Sequence, residues 1–263
     1  MILSIIIPVY NSERILGTLV KKIKKTLENK KIKKFEVILV NDYSKDNSWS
    51  LIKKLSKLYN FIKGINLIKN YGQHNAIVAG LTYSRGKYLI LMDDDLQHDP
   101  KYIPNILEQL LNKYDACYVR YLKRKHAFWK KFVSKLNHLT SSFLANKTTK
   151  IYTSSFKGFN KKIKNKIIGD KNKEVFLDWI ILNNSTKVKS IDVLHKKRLI
   201  GKTNYNFKKL LILWSNMIIK IKTNNKFRKL LIFLIKIVII TIINKLINKK
   251  IFQEKFKILE KTF

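Results

Sequence analysis

Through the first half of the chain, short apolar runs alternate with stretches whose apolar residues recur at helical spacing. Ile2 to Val9 is mostly apolar and closes on Pro8-Val9-Tyr10-Asn11, which predicts a buried strand. From about Ser12, Ile15, Leu16, Leu19, Ile23 and Leu27 mark one face of a helix. Phe35 to Val40 predicts a second strand, and the polar loop Asn41 to Ser48 can cap a helix over Trp49 to Tyr59. A strand near Ile65 to Ile68, the loop Asn70 to Asn75, a helix from Ala76 to Ser84 and a turn at Arg85-Gly86 form a third unit. Leu89 to Met92 predicts a fourth strand. A helix follows from Pro100 to about Lys113, then a strand from Asp115 to Val119 and the basic stretch Arg120 to Lys131. Strands alternating with helices predict an α/β fold with a doubly wound, mostly parallel sheet.

The fourth strand runs straight into Asp93, Asp94 and Asp95, followed by Leu96-Gln97-His98-Asp99-Pro100. Open α/β sheets place ligands outside the carboxyl ends of their strands, so chemistry belongs here. Adjacent carboxylates repel one another and resist burial without a cation. In an extended segment Asp93 and Asp95 face one way, Asp94 faces the other, and Gln97 continues the first face. Two carboxylates and an amide oxygen suit a hard divalent ion, Mg2+ or Mn2+, which keeps positions open for phosphate oxygens. The competing reading is a solvated acidic turn, with Asp99 capping the helix that begins at Pro100. The other strand-end loops carry Asp42, Asp46 and Arg120, a mixture suited to a nucleotide, its metal and its phosphates. There is no Gly-rich phosphate loop of the P-loop or Rossmann type.

At 263 residues the chain can hold one large domain, or a domain with an appendage. Its lone cysteine, Cys117, lies in the apolar run Ala116 to Val119 and reads as a core residue; a disulfide within the chain is excluded, and a reducing cytosol fits. No export signal is expected, because the strand-like start lacks a basic flank and a small-residue cleavage site. The formal charge of +38 admits a nucleic-acid partner, an anionic membrane surface, or compositional drift towards lysine. Lysine spreads through nearly every segment alongside abundant Ile and Asn, as drift would produce, and no zinc, RRM or KH pattern is present, so no nucleic-acid partner is expected.

Four stretches in order, SIIIPVYNSE, FEVILVNDYSKDNS, NYGQHNAIVAGL and LMDDDLQHDP, resemble glycosyltransferase family 2. Of these, GQHNAIVAGL and DLQHDP, together with the later RLIGKTNY, resemble the branch that transfers sugars to polyprenyl phosphate, related to dolichyl-phosphate mannose synthase and bacterial undecaprenyl-phosphate sugar transferases. The likeness covers roughly residues 2 to 220. It implies a GT-A fold, a nucleotide-diphosphate sugar donor, a divalent metal and inversion at the anomeric carbon. By resemblance, Pro8, Tyr10, Glu13 and Asp42 line the nucleoside pocket, with Asp42 nearest the base or ribose. Asp93, Asp95 and Gln97 hold the metal that bridges the diphosphate, Asp95 counting as catalytic through it, and Asp94 belongs to the nucleotide-sugar site. Arg120 corresponds to an arginine near the phosphates, although Val119 stands where the family has glycine. Arg198, Gly201, Lys202, Thr203, Asn204 and Tyr205 match a segment that closes over donor and acceptor phosphates, with Arg198 catalytic. Cations are required there because two phosphorylated substrates must meet. Asp178 lies where the family has an acid near the acceptor; general base, acceptor orientation and helix cap all stay open, since a phosphate acceptor is already anionic. His74 and His98 read as hydrogen-bond partners in loops.

These motifs assign residues 1–205 to the GT-A domain. Residues 206–225 read as an amphipathic interface helix, with Phe207, Leu210, Leu211, Trp214, Met217, Ile218 and Ile221 on one side and lysines flanking them. Residues 226–263 read as an apolar helix and a basic tail. Leu230 to Ile247 would reach about 27 Å as a helix, marginal for a span, and Lys236 near its middle costs roughly 2.5 to 3.5 kcal/mol on insertion. One tilted span, an in-plane anchor and a helix paired with a second copy in a homo-oligomer all stay open. The expected function is transfer of a sugar to polyprenyl phosphate at the cytoplasmic membrane face, the chain resting on anionic lipid. A family 2 transferase extending a surface glycan is the alternative among enzymes, and a non-catalytic membrane or nucleic-acid binding protein the alternative outside them.

Overall fold

The computed structural model describes residues 2–122, 153–170, 177–194 and 256–263. β1 (Leu3–Val9) is buried along its whole length, and α1 (Glu13–Asn29) follows it. Then come β2 (Phe35–Asn41), α2 (Ser48–Leu58), β3 (Ile62–Leu67), α3 (Gln73–Tyr83) and β4 (Tyr88–Leu91). A 3-10 turn at Pro100–Tyr102, with Asp99 Oδ1 accepting from the Lys101 N–H, leads into α4 (Ile103–Leu111). β5 (Ala116–Leu122), β6 (Lys157–Asn160), α5 (Lys161–Gly169), α6 (Leu177–Asn184), β7 (Val188–Leu194) and β8 (Ile258–Lys261) complete the described elements.

The eight strands form one sheet in the order β7-β5-β6-β4-β1-β2-β3-β8. β1 pairs in parallel with β2 and β4, β2 with β3, and β5 with β7, whereas β6 and β8 run antiparallel to their neighbours. Side-chain alternation sends Leu3, Ile5, Ile7 and Val9 into a core shared with α1, α2 and α4, and sends Ile6 into one shared with α3, α5 and α6. Helices therefore cover both faces, which explains why these strands read as continuous apolar runs.

Several features depart from the expected pattern, among them α3, which starts at Gln73 and so takes His74 into its first turn instead of leaving it in a loop. β3 begins at Ile62, ahead of the Ile65 start, and β5 continues through Arg120 and Tyr121 to Leu122, past the expected end at Val119. Ile258 to Lys261, read in the sequence as basic tail, instead closes the sheet as β8 beside β3. Gly64 permits that closure: a Cβ there would lie 2.5 Å from Ile52 Cγ2 and 3.0 Å from Thr262 Cγ2, while the Gly64 N–H donates to Thr262 Oγ1 at 2.7 Å. Trp49 Nε1 on α2 donates to Glu260 at 2.8 Å, fastening β8 from a second side. Among the described residues no helix is long and apolar enough to cross a membrane. The 206–225 helix and the Leu230 to Ile247 segment lie outside the described residues.

Candidate active site

At the carboxyl ends of β1, β2 and β3, carboxylates accept hydrogen bonds from the backbone of the adjacent loop. Asp42, 4% exposed, receives Tyr71 N–H at 2.7 Å on Oδ1 and Gly72 N–H at 2.9 Å on Oδ2. Gly72 adopts φ +86°, a conformation that glycine reaches without steric cost, and this turns its N–H towards the acid at the start of α3. Burial raises the Asp42 pKa, and the two N–H bonds offset that only in part. Asp46 accepts from Glu13 N–H at 3.1 Å and Ser48 N–H at 3.0 Å, so one carboxylate serves the amino ends of both α1 and α2. Burial opposes its charge, but the bonds from Ser48 and Glu13 hold its pKa below the ordinary value. Glu13 in turn accepts from Asn47 N at 3.2 Å and Asn47 Nδ2 at 3.1 Å. Pro8 sits within β1 opposite Val40, and half-buried Tyr10 begins the loop that follows.

β4 ends at Leu91, so the acids occupy a loop and not a strand, and Leu96, with φ +61°, turns the chain after them. Asp93 and Asp94 nonetheless diverge. Asp93 Oδ1 accepts from Gln73 Nε2 at 2.7 Å and Oδ2 from Ser155 Oγ at 3.0 Å, while its own N–H donates to His98 Nδ1 at 2.8 Å. Asp94 turns to the β1 loop, where Oδ2 accepts from the Tyr10 N–H at 3.2 Å and from the Ser12 hydroxyl. Burial pushes the Asp94 carboxyl up to about 6; Ser12 and Tyr10 oppose the rise, and the charges of Asp93 and Asp95 add to it. Asp95, 8% exposed, accepts the Gln97 N–H at 3.0 Å on Oδ1. Asp93, Asp95 and Gln97 offer carboxylate and amide oxygens, which match a hard divalent ion in chemistry. Among the described residues no group of three or more His, Cys, Asp and Glu side chains is placed so that it could hold a metal ion by itself. An Mg2+-like ion held by one or two carboxylates and completed by substrate phosphates needs no such cage, so the donor set fits.

On the other side of β4, Asp178 in the first turn of α6 accepts from Tyr118 OH at 2.9 Å and from Lys157 Nζ on the same oxygen. Lys157, 5% exposed, stands opposite Leu91 of β4 and Tyr118 of β5, and its ammonium lies 5.4 Å from the Tyr118 ring centroid. Burial and the neighbouring Asp178 raise the Tyr118 pKa, so its hydroxyl stays a donor. Arg120 makes a bidentate pair with Asp192 across the β5–β7 ladder, its Nη2 at 2.6 Å from Oδ2. An anion reaching Arg120 must therefore share or displace Asp192. Arg198, Lys202, Thr203, Asn204 and Tyr205 lie outside the described residues.

Sequence reasoning singled out neither Gln73 nor Ser155 nor Lys157. Gln73 lay within a quoted motif without a role, whereas Ser155 and Lys157 belong to Ser154-Ser155-Phe156-Lys157-Gly158-Phe159, which is too short and mixed to show a period.

A family model described as glycosyl transferase family 2 matches residues 4–168, more than half of the chain. The chain belongs to glycosyl transferase family 2. The matched span holds β1 through β6 together with Asp42, Asp93, Asp94 and Asp95. The chain is 31% identical over 218 residues to the undecaprenyl-phosphate 4-deoxy-4-formamido-L-arabinose transferase of Pectobacterium atrosepticum, which covers 82% of this chain and 66% of that protein. It is 29% identical over 209 residues to the uncharacterized glycosyltransferase YkcC of Bacillus subtilis, covering 79% of this chain and 64% of that one. The chain thus spans just under two thirds of the length of these relatives. Among solved structures it is similar to glucosyl-3-phosphoglycerate synthase from Mycobacterium tuberculosis in complex with Mn2+ and UDP-glucose, with TM-score 0.59, 12% identity, and coverage of 86% of this chain and 80% of that one. At that identity the likeness is one of fold, and the eight-stranded mixed sheet is GT-A-like.

Proposed function

We propose that this family 2 domain transfers a sugar, with inversion, from a nucleotide-diphosphate donor to polyprenyl phosphate at the cytoplasmic membrane face. The observation that carries the acceptor class is the similarity, across four fifths of the chain, to a relative named as an undecaprenyl-phosphate sugar transferase. Donor binding falls to the loops after β1 and β2, with Pro8, Tyr10, Glu13 and Asp42 beside the nucleoside. Asp42 can serve there while holding the β3–α3 loop, because each carboxylate oxygen has a second lone pair. Asp93, Asp95 and Gln97 would hold Mg2+ or Mn2+, which stabilises the charge that gathers on the departing nucleotide diphosphate.

The acceptor phosphate attacks the anomeric carbon directly from the face opposite the leaving group. It is anionic near neutral pH and needs no base. The ion pair with Lys157 supports reading Asp178 as a fixed carboxylate on the acceptor side, a positioning residue instead of a proton acceptor. Arg198 and the Lys202 to Tyr205 segment supply cationic and hydrogen-bonding groups to the two phosphates. Segments 206–225 and 230–247 bring the domain to the lipid. The direct test of the cation site is Asp95→Ala. Metal-dependent transfer should fall about a hundredfold or more, because an ion's charge stabilisation is worth several kcal/mol, while cooperative unfolding persists. Transfer near the wild-type rate would remove Asp95 from the site.

A further inference from the structure

We propose that His98 is a positioning residue for the cation site, setting the direction in which Asp93 presents its carboxylate. This rests on the reading of Asp93 and Asp95 as cation ligands. His98 is 5% exposed, and its ring lies nearly parallel to that of Phe156 at 4.9 Å between centroids and to that of Tyr121 at 6.1 Å. Packing against these two rings, one on the approach to β6 and one on β5, fixes the plane of the imidazole relative to the sheet. Nδ1 accepts the backbone N–H of Asp93 at 2.8 Å, so the ring proton sits on Nε2. Nε2 lies 3.3 Å from Ser155 Oγ and 3.5 Å from Asp93 Oδ2, and Ser155 Oγ donates to that same Oδ2 at 3.0 Å.

One side chain therefore grips Asp93 twice, at its backbone directly and at its carboxylate chiefly through Ser155. Gln73 Nε2 holds the other carboxylate oxygen at 2.7 Å. With one donor on each oxygen, the carboxylate plane is set and each oxygen retains a lone pair for a cation. The left-handed turn at Leu96 folds the short loop back so that residue 98 can reach residue 93. Partners of this kind, which orient a ligand without touching the ion, typically contribute 10- to 100-fold to metal affinity.

The test is Mn2+ binding by the full-length protein, with free Mn2+ counted by electron paramagnetic resonance. His98→Phe keeps a ring against Phe156 and Tyr121 but removes both grips, and should weaken Mn2+ binding about 10- to 100-fold. His98→Asn, whose Oδ1 takes the place of Nδ1, should restore the backbone grip and give an intermediate affinity. A residue that only packs would leave the affinity of His98→Phe unchanged, and that result overturns the proposal. If His98→Phe does not fold, His98→Asn decides alone, since wild-type affinity in that variant is equally fatal. Wild-type protein that binds no Mn2+, with or without UDP, would sink the cation reading itself and this inference with it, whereas a wild type that binds and a His98→Phe that binds equally would sink the inference alone.

Discussion

Asp42, Asp46, Glu13 and Asp94 each bond to a neighbouring loop at the candidate site: Asp42 and Asp46 accept from the backbone N–H groups of two different residues, Glu13 and Asp94 from one backbone N–H and one side chain. Their acidity was legible in the sequence; their partners were not, because, Ser48 beside Asp46 apart, the groups they join lie 29 to 84 residues apart. Asp178 differs in having a buried cation for a partner. Lys157→Met should cost about 3 kcal/mol in urea unfolding, since it strands a carboxylate with little access to water, and the double variant with Asp178→Leu should recover most of that loss. Equal instability of the single and double variants would contradict the pairing. Activity gives a second check at the same residue. A general base contributes about 10²- to 10⁴-fold, so Asp178→Asn should keep kcat within about tenfold of wild type if the acceptor is a phosphate, and a thousandfold loss would restore the base role.

Elements β1 to β5 and α1 to α4 were legible because buried parallel strands and amphipathic helices leave distinct periods. Boundaries shifted where a strand ran past its apolar run, as β5 does through Arg120. β6 and β8 were not legible: each has four residues, and Lys-Gly-Phe-Asn and Ile-Leu-Glu-Lys take strand form only through pairing with β4, β5 and β3. At the amino ends of the central strands, a buried network joins β1, β2 and β3. Glu36 accepts from Ser4 Oγ, Lys63 Nζ and Arg85 N–H, each at 2.6 Å. Burial alone would raise the Glu36 pKa, but Lys63, Ser4 and the Arg85 N–H together hold it below the ordinary 4.5. A lowered carboxyl pKa contributes stability that is present above the unfolded value and lost as pH falls through the folded one. The wild type should therefore lose stability below about pH 4.5 more steeply than Glu36→Gln, as read from urea midpoints across an acid series. Parallel pH profiles for the two proteins would show that Glu36 does not carry this effect.

At the scale of the whole molecule, the family was legible because its motifs mark the strand-end loops that carry the ligands, the part of an α/β fold where sequence and chemistry meet most directly. The charge of +38 was the least informative feature, since lysines spread over a surface do not name a partner. In the proposed reaction a nucleotide-diphosphate sugar and polyprenyl phosphate meet at the carboxyl end of this sheet in a metal-dependent step. A transfer assay decides the matter: the purified full chain is offered a panel of radiolabelled nucleotide sugars and undecaprenyl phosphate, with Mn2+ or with EDTA, and label is counted in the organic phase. Label should enter the lipid with Mn2+ from one donor and be abolished by EDTA. Label that instead enters a glycan acceptor and never the lipid, or an absence of transfer from every donor by folded protein, would contradict it.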